Sequence, residues 1–482
     1  MKPFRTGPLV AVLLAACASA PRERADDELS RALTERGAAS LATTDEARAA
    51  RDADVAARLA QPLGVDDAVA IALARQPRVA AQLAELHLAQ AELLAASRPS
   101  NPSLALSALD SNRDGDHTRV SISIVQGLAD LVLLKSRTAI ANGELDATVQ
   151  HAASELLALI ADASRAWVAA AGAQQVAAMR ALAAEAEATS AELAQRYHDA
   201  GNVPALFLAE HRAAAVESAL AADAAALDVV RTKHELAVSI GLDAATPFTL
   251  DAGLPLPVAA EDALDALLAS TQQRPDLVAA RRRAEALATA LGDTRRFRWL
   301  GAFEVGIEGE RDTDGSELVG PSVAIELPIF HRNEATVARA EARVDRAEAD
   351  ALALETSIDH AVRGSHAAVV AAARRVQRLR EELLPLREQV VARTQERVNF
   401  MLDDPFALLR VKREQYDAYQ QYLESLRDYW LARIELAAAV GAALPSTATI
   451  DSARATAPVL DGEDEQAEPM QHHHHHESSE PE

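Results

Sequence analysis

Aromatic residues make up only 3% of the 482-residue chain, and there is a single cysteine. One cysteine excludes an intrachain disulfide. The apolar fraction is still 49%, so it consists largely of alanine, valine and leucine. Such side chains favour closely packed helices over a thick aromatic core. Basic residues are scarce beside acidic ones, 48 Lys and Arg against 72 Asp and Glu, a net charge of −24. Phosphate binding needs a basic face, so nucleic acid is not expected as a partner. The balance suits a soluble surface or a cationic cargo. There is no phosphate loop. Histidines such as His87, His151, His360 and His366 are scattered without metal-ligand or triad spacing. Neither an enzyme nor a cofactor is expected.

Long uninterrupted apolar runs are also missing. Past the first residues each apolar stretch is broken by charges, so no transmembrane helix is expected. The chain opens MKPFRTGPLVAVLLAACASA, with Lys2 and Arg5 ahead of a short apolar run from Leu9 to Ala16. That run is too short for a permanent span and reads as an export signal over residues 1–16. Leu14-Ala15-Ala16-Cys17 resembles the lipobox of bacterial lipoproteins, which makes Cys17 the expected lipid carrier. An exported chain without a spanning helix can still enter an outer membrane as a β-barrel.

What is present is duplication. Arg75-Gln76-Pro77-Arg78-Val79-Ala80-Ala81 resembles Gln273-Arg274-Pro275-Asp276-Leu277-Val278-Ala279-Ala280. His234–Gly241 matches Ile434–Gly441, and both read as helix ends closed by glycine. Pro204 and Pro405 hold the same place in each copy. The expected organisation is an N-terminal extension over 17–62, one copy over 63–245, a linker over 246–258, a second copy over 259–445 and a tail over 446–482. Each copy reads helix, hairpin, long helix, turn, helix.

The hairpins are expected at Leu104–Leu109 with Arg119–Gln126, and at Ala302–Gly309 with Val319–Leu327. In the second, Phe303, Val305 and Ile307 share one face and Glu304, Gly306 and Glu308 the other. Val323, Ile325 and Leu327 oppose Ala324 and Glu326 in the same way. Strands with one apolar and one polar or acidic face suit a membrane barrel with a wet lumen. Four strands cannot close such a barrel, and open edges are not tolerated in lipid. Strands from several chains are therefore expected to combine. Val120–Val125, VSISIV, is expected to pair within its hairpin and across to a neighbouring protomer. A small β-patch capping a soluble helical bundle is the plainer alternative.

The helices are expected to be long. Ala139 to His198 contains no proline, enough for roughly 90 Å of helix. Leu145, Val149, Ala152, Leu156 and Leu159 form one stripe. Val337, Val344, Ala351 and Ile358 recur every seven residues, with Ala340, Ala347, Leu354 and Ala361 between them. A seam of small residues lets helices approach closely.

Two copies of helix, hairpin and paired long helices behind a lipobox resemble the TolC-type outer-membrane efflux proteins. Arg196–Pro204, RYHDAGNVP, looks like the Tyr-x-x-Gly turn at that family's periplasmic tip, with one residue more between Tyr197 and Gly201. Arg397–Pro405, RVNFMLDDP, is the second version, with Leu402 where the family often has glycine. The resemblance covers about residues 63–443. It implies a fold that is mainly α with a small β part, a homotrimer with a 12-stranded outer-membrane barrel, and a helical tunnel across the periplasm. It also implies outer-membrane lipid, a periplasmic adaptor and an inner-membrane RND-type pump as partners. Transport energy then comes from the pump. The family often has acidic residues six and nine positions after the tip glycine. Phe207 and Glu210 hold those places in copy one, and Leu408 and Val411 in copy two, so that constriction does not carry over directly. Gly201, Glu210, Asp403 and Asp404 are the candidate tip and gate residues, with Asp403 and Asp404 forming either a threefold acidic ring or ordinary turn positions.

Within the family, the second tip and the final DYWLARIELAAAVG look most like the CusC/CzcC-like heavy-metal efflux subgroup. Glu304, Glu308 and Glu326 are expected on the lumen face, where a threefold acidic lining favours cations. The tail GEDEQAEPMQHHHHHESSEPE is acidic and reads as disordered. Its His472, His473, His474, His475 and His476 can hold copper, zinc or nickel ions, or else constitute a purification tag. The expected function is a passive exit duct for metal cations. The alternatives are the same duct serving organic drugs or solvents, and a soluble periplasmic helical scaffold with a metal-buffering tail.

Overall fold

The computed structural model describes residues 23–38, 45–110, 118–251, 253–297, 303–326, 329 and 332–444. The expected export signal over 1–16, Cys17 and the run His472–His476 lie outside the described residues. Helices dominate. α1 spans Glu23–Glu35, α2 Asp45–Leu59, α3 Val65–Arg75 and α4 Pro77–Ala96. The strands β1, Ser103–Leu109, and β2, Arg119–Gly127, follow. Then come α5, Leu128–Asp199, and α6, Ala205–Ser239. The second half runs α7, Leu264–Thr271, α8, Pro275–Arg296, β3, Phe303–Arg311, and β4, Glu317–Ile325. It closes with α9, Glu334–Arg378, a π turn over Leu379–Leu383, α10, Leu384–Asn399, and α11, Pro405–Val440.

α5 starts directly after β2 rather than at Ala139, and its 72 residues reach about 108 Å. Leu145, Val149, Ala152, Leu156 and Leu159 are all buried along it, as their spacing predicts. The absence of an apolar span needs correction. α5 is long and apolar enough to cross a membrane by length and composition, but 56% of its most apolar window is buried. Alanine explains both facts, being apolar enough to score and small enough to pack.

In α9, Val344 and Ile358 are buried as the heptad predicts, but Ala361 is exposed and Val362 takes its place. The buried stripe then continues at Val369 and Val376. The seam thus shifts by four residues, a stutter that changes the local winding. Pro385, in the first turn of α10, has no N–H for the preceding turn, and the helix widens into the π turn there.

The four strands form one antiparallel sheet in the order β1-β2-β3-β4. VSISIV therefore corrects an expectation. β2 pairs with β1 on one side and with β3 of the same chain on the other, not with a neighbouring protomer. The free edges are β1 and β4. The second hairpin also sits closer to its turn than expected, because Glu310 pairs with Leu318 and Arg311 with Glu317.

Each half carries a matched internal cap. Gln76 Nε2 donates to Val238 O and Ser239 O at 3.0 and 2.9 Å, at the end of α6. Arg274 Nη1 donates to Ala438 O at 3.1 Å and also to Ala439 O, at the end of α11. Gly241 and Gly441 have φ of +73° and +72°, and a Cβ at Gly241 would meet the Arg75 and Gln76 backbone at 2.9 Å. The polar residue before each proline thus satisfies carbonyls left open at a helix end. The linker is pinned to both halves. Trp167 Nε1 donates to Leu63 O and Trp430 Nε1 to Pro255 O, each at 2.8 Å. Leu63 also bridges to Leu250. Tyr429 OH donates to Glu261 Oε1 and Arg433 Nη1 to Glu261 Oε2, both at 2.6 Å. Burial, then that bond to Glu261, pushes the Tyr429 phenol up to about 12.

Candidate functional site

The sheet sorts its residues cleanly, because facing residues in register share a face. Leu104 faces Ile124, and Ile124 faces Ile307, which faces Pro321. Leu106 faces Ile122, which faces Gly309, and Val305 faces Val323. This face is apolar through its middle on all four strands, with Gln126, Arg311 and Glu317 only at its ends, and it is exposed, with Leu104, Ile122, Ile124, Ile307, Val323 and Ile325 all open. An exposed apolar surface of this extent marks a lipid or protein contact.

The other face carries Ser107 and Ser121, whose hydroxyls meet at 2.8 Å. Glu304, facing Ala324, and Glu308, facing Gly320, stand on it as expected. Glu326 lies one residue beyond β4 and is exposed. Glu310 joins this polar face and is paired with Arg119. Its role was hidden because the sequence pattern places it in the turn.

At the far end of the helices two turns come together. The α5–α6 turn is closed by Asn202 N–H donating to Tyr197 O at 2.9 Å, with Gly201 at φ +78° and open space around it. The α10–α11 turn repeats that bond, Leu402 N–H to Arg397 O at 2.8 Å, with Met401 at φ +56°. Met401, not Leu402, is therefore the equivalent of Gly201. The matching of Pro204 with Pro405 is likewise off by one residue. Pro204 precedes α6 as its N-cap, whereas Pro405 is the first residue of α11. The positions six and nine after the turn become Ala407 and Arg410, and neither is acidic.

Both turn carboxylates have structural partners. Arg397 donates to Asp403 from Nε at 2.6 Å and from Nη2 at 2.9 Å. That bond, then the arginine charge, holds the Asp403 carboxyl below its ordinary range. Asp404 Oδ1 accepts from Ala407 N–H at 2.8 Å and caps α11. Glu210 is exposed on α6 beside the two halves' shared aromatic cluster. In that cluster Phe406 lies 4.9 Å from Phe207, 4.9 Å from His211 and 5.5 Å from Tyr197. His211 Nδ1 is 3.0 Å from Ser190 Oγ. Sequence spacing did not reveal the cluster, since its members come from α5, α6 and α11. Beyond it Phe400, Met401 and Leu402 stand exposed at the extremity.

Among the described residues no group of three or more His, Cys, Asp or Glu side chains is placed to hold a metal ion.

No protein-family model matches the chain, and no curated protein sequence matches it. Solved structures do. The outer membrane protein VceC from Vibrio cholerae is 18% identical with a TM-score of 0.65, over 79% of this chain and 96% of that one. The outer membrane channel CmeC from Campylobacter jejuni is 15% identical with a TM-score of 0.65, over 80% and 88%. CusC, described for its transmembrane channel formation, is 14% identical with a TM-score of 0.64, over 78% and 92%. The chain shares its fold with these outer-membrane channels.

Proposed function

We propose that the chain is the outer-membrane exit duct of a tripartite efflux system. The observation that carries this reading is the sheet: apolar and exposed on one face, polar on the other, and continuous with a helix about 108 Å long. Four strands with two free edges need neighbours, and three copies supply a 12-stranded barrel. Residues 63–245 and 259–445 are then the two efflux repeats, and Cys17 carries a lipid anchor. Cargo passes down a water-filled tube, and the turns around Gly201, Glu210, Asp403 and Asp404 form the end that opens when an adaptor docks. An inner-membrane pump supplies the energy.

The cargo we propose is heavy-metal cations. Glu304 and Glu308 on the polar sheet face, with Glu326 beside it, support a cation-favouring lumen. His472–His476 serves as an accessory metal buffer. The test is metal tolerance of a strain lacking the protein, against copper, silver, zinc, cobalt and cadmium, with a dye and two antibiotics alongside. Hypersensitivity to a metal, restored by the chain even without the histidine run, is the expected result. Dye and antibiotic sensitivity with unchanged metal tolerance would assign the duct to organic compounds instead.

A further inference from the structure

The chain carries a net charge of −24, yet the segments where the sheet joins the helices are basic. Four described stretches meet there: residues 96–102, 128–140, 290–297 and 332–343. They hold eight basic residues (Arg98, Lys135, Arg137, Arg295, Arg296, Arg332, Arg339 and Arg343) against four acidic ones (Asp130, Asp293, Glu334 and Glu341), a net charge of +4. The rest of the chain therefore carries −28.

Side-chain contacts place these stretches at one level. Ser136 Oγ donates to Asp293 across α5 and α8. Thr138 Oγ1 lies 3.4 Å from Ala96 O. Arg295 Nη2 is 2.6 Å from Glu341 across α8 and α9. All fall within roughly three helical turns of the sheet, about 16 Å. Lys135, Arg296, Arg339 and Arg343 are exposed. On α9, Arg339 and Arg343 are one turn apart, on the side away from the buried Val344.

We infer that this collar binds the phosphate headgroups of anionic phospholipid in the bilayer leaflet at the helical end of the sheet. The inference rests on the membrane reading proposed above. The apolar sheet face runs to Leu104 and Ile325, with Leu131 and Ile329 exposed at the edge of the collar, so a bilayer around the sheet brings its headgroups to these side chains. Long basic side chains reach along the interface with the charge in the headgroup layer. Anionic surfaces attract such residues within about a Debye length. Elsewhere the acidic surface repels the same lipids. Preference for this leaflet over the far one follows from the collar's place, because the β3–β4 turn at the opposite end carries Asp312 and Asp314.

The test uses the full chain reconstituted in nanodiscs of phosphatidylcholine with a minor share of phosphatidylglycerol. Lipids retained after detergent extraction are then weighed by native mass spectrometry. One variant combines Lys135→Gln, Arg296→Gln, Arg339→Gln and Arg343→Gln. A control combines Arg393→Gln and Arg410→Gln at the far turn. The wild type and the control are expected to retain phosphatidylglycerol above its bulk share, less so as salt rises. The collar variant is expected to lose that enrichment by about fivefold or more while still inserting. Equal enrichment in the collar variant and the wild type would overturn the inference, as would a wild type that inserts without enrichment. A wild type that fails to insert into any nanodisc would overturn the membrane reading itself, and the collar with it.

Discussion

Ile124 of the first half faces Ile307 of the second in register, and both lie open on the same apolar face, 53% and 64% exposed. That pairing joins the two hairpins into one sheet whose edges, among the described residues, are β1 and β4.

The faces of this sheet make opposite predictions for neighbouring residues. Ile307→Arg places a charge on the apolar face, at a cost of about 2–4 kcal/mol if it lies near a bilayer midplane. The variant is expected to leave the membrane fraction on carbonate washing. Glu308→Arg, on the polar face, is expected to stay inserted and to shift channel conductance toward anions. Equal retention of both would mean that the faces are not divided between lipid and lumen.

The free edges predict which strands meet between copies. Ala105→Cys on β1, tested against Cys substitutions at Gly320, Ser322 and Ala324 on β4, is expected to give a disulfide-linked ladder ending at three copies on a non-reducing gel. These strands occupy opposite edges of one sheet. Any such link is therefore intermolecular.

The two turns predict a reciprocal pair of stability changes. Gly201→Ala puts a Cβ at positive φ and is expected to cost about 1 kcal/mol. Met401→Gly relieves the same strain and is expected to be neutral or slightly stabilising, since the Met401 side chain is 93% exposed and little packing is lost. Thermal unfolding of both variants checks the sign.

Asp403 predicts the acid response of the second turn. Its folded carboxyl is held below the ordinary 3.8 by the bond to Arg397. The bond therefore contributes above that value and is lost as pH falls through the lower folded one. Asp403→Asn is expected to remove this acid-sensitive step in hydrogen exchange at residues 397–404 and to leave the turn unaltered near neutrality by circular dichroism.

Glu261→Ala leaves Arg433, only 2% exposed, without its carboxylate. Breaking a buried ion pair by removing one partner costs up to about 3–5 kcal/mol. Denaturant unfolding is expected to show that loss, with Glu261→Gln retaining part of the stability through its hydrogen bonds.

The sequence by itself determined the helices, the caps and the two faces of the strands. These depend on near neighbours: alanine and leucine at helical spacing along α5, glycines Gly241 and Gly441 after the last turns, and alternation in β3. Even there its limits were local, as at the stutter in α9, where Val362 is buried in place of Ala361. Only the tertiary structure decided how the elements combine. Period-two alternation states which face is apolar but not which strand lies alongside, so the pairing of β2 with β3 was hidden. The alignment of the prolines put Leu402 at the special position of the turn, whereas backbone hydrogen bonding puts Met401 there. The Phe207, His211 and Phe406 cluster and the basic collar escaped for the same reason. Each gathers residues from segments far apart in the chain, and only packing brings their charges and rings within reach of one another.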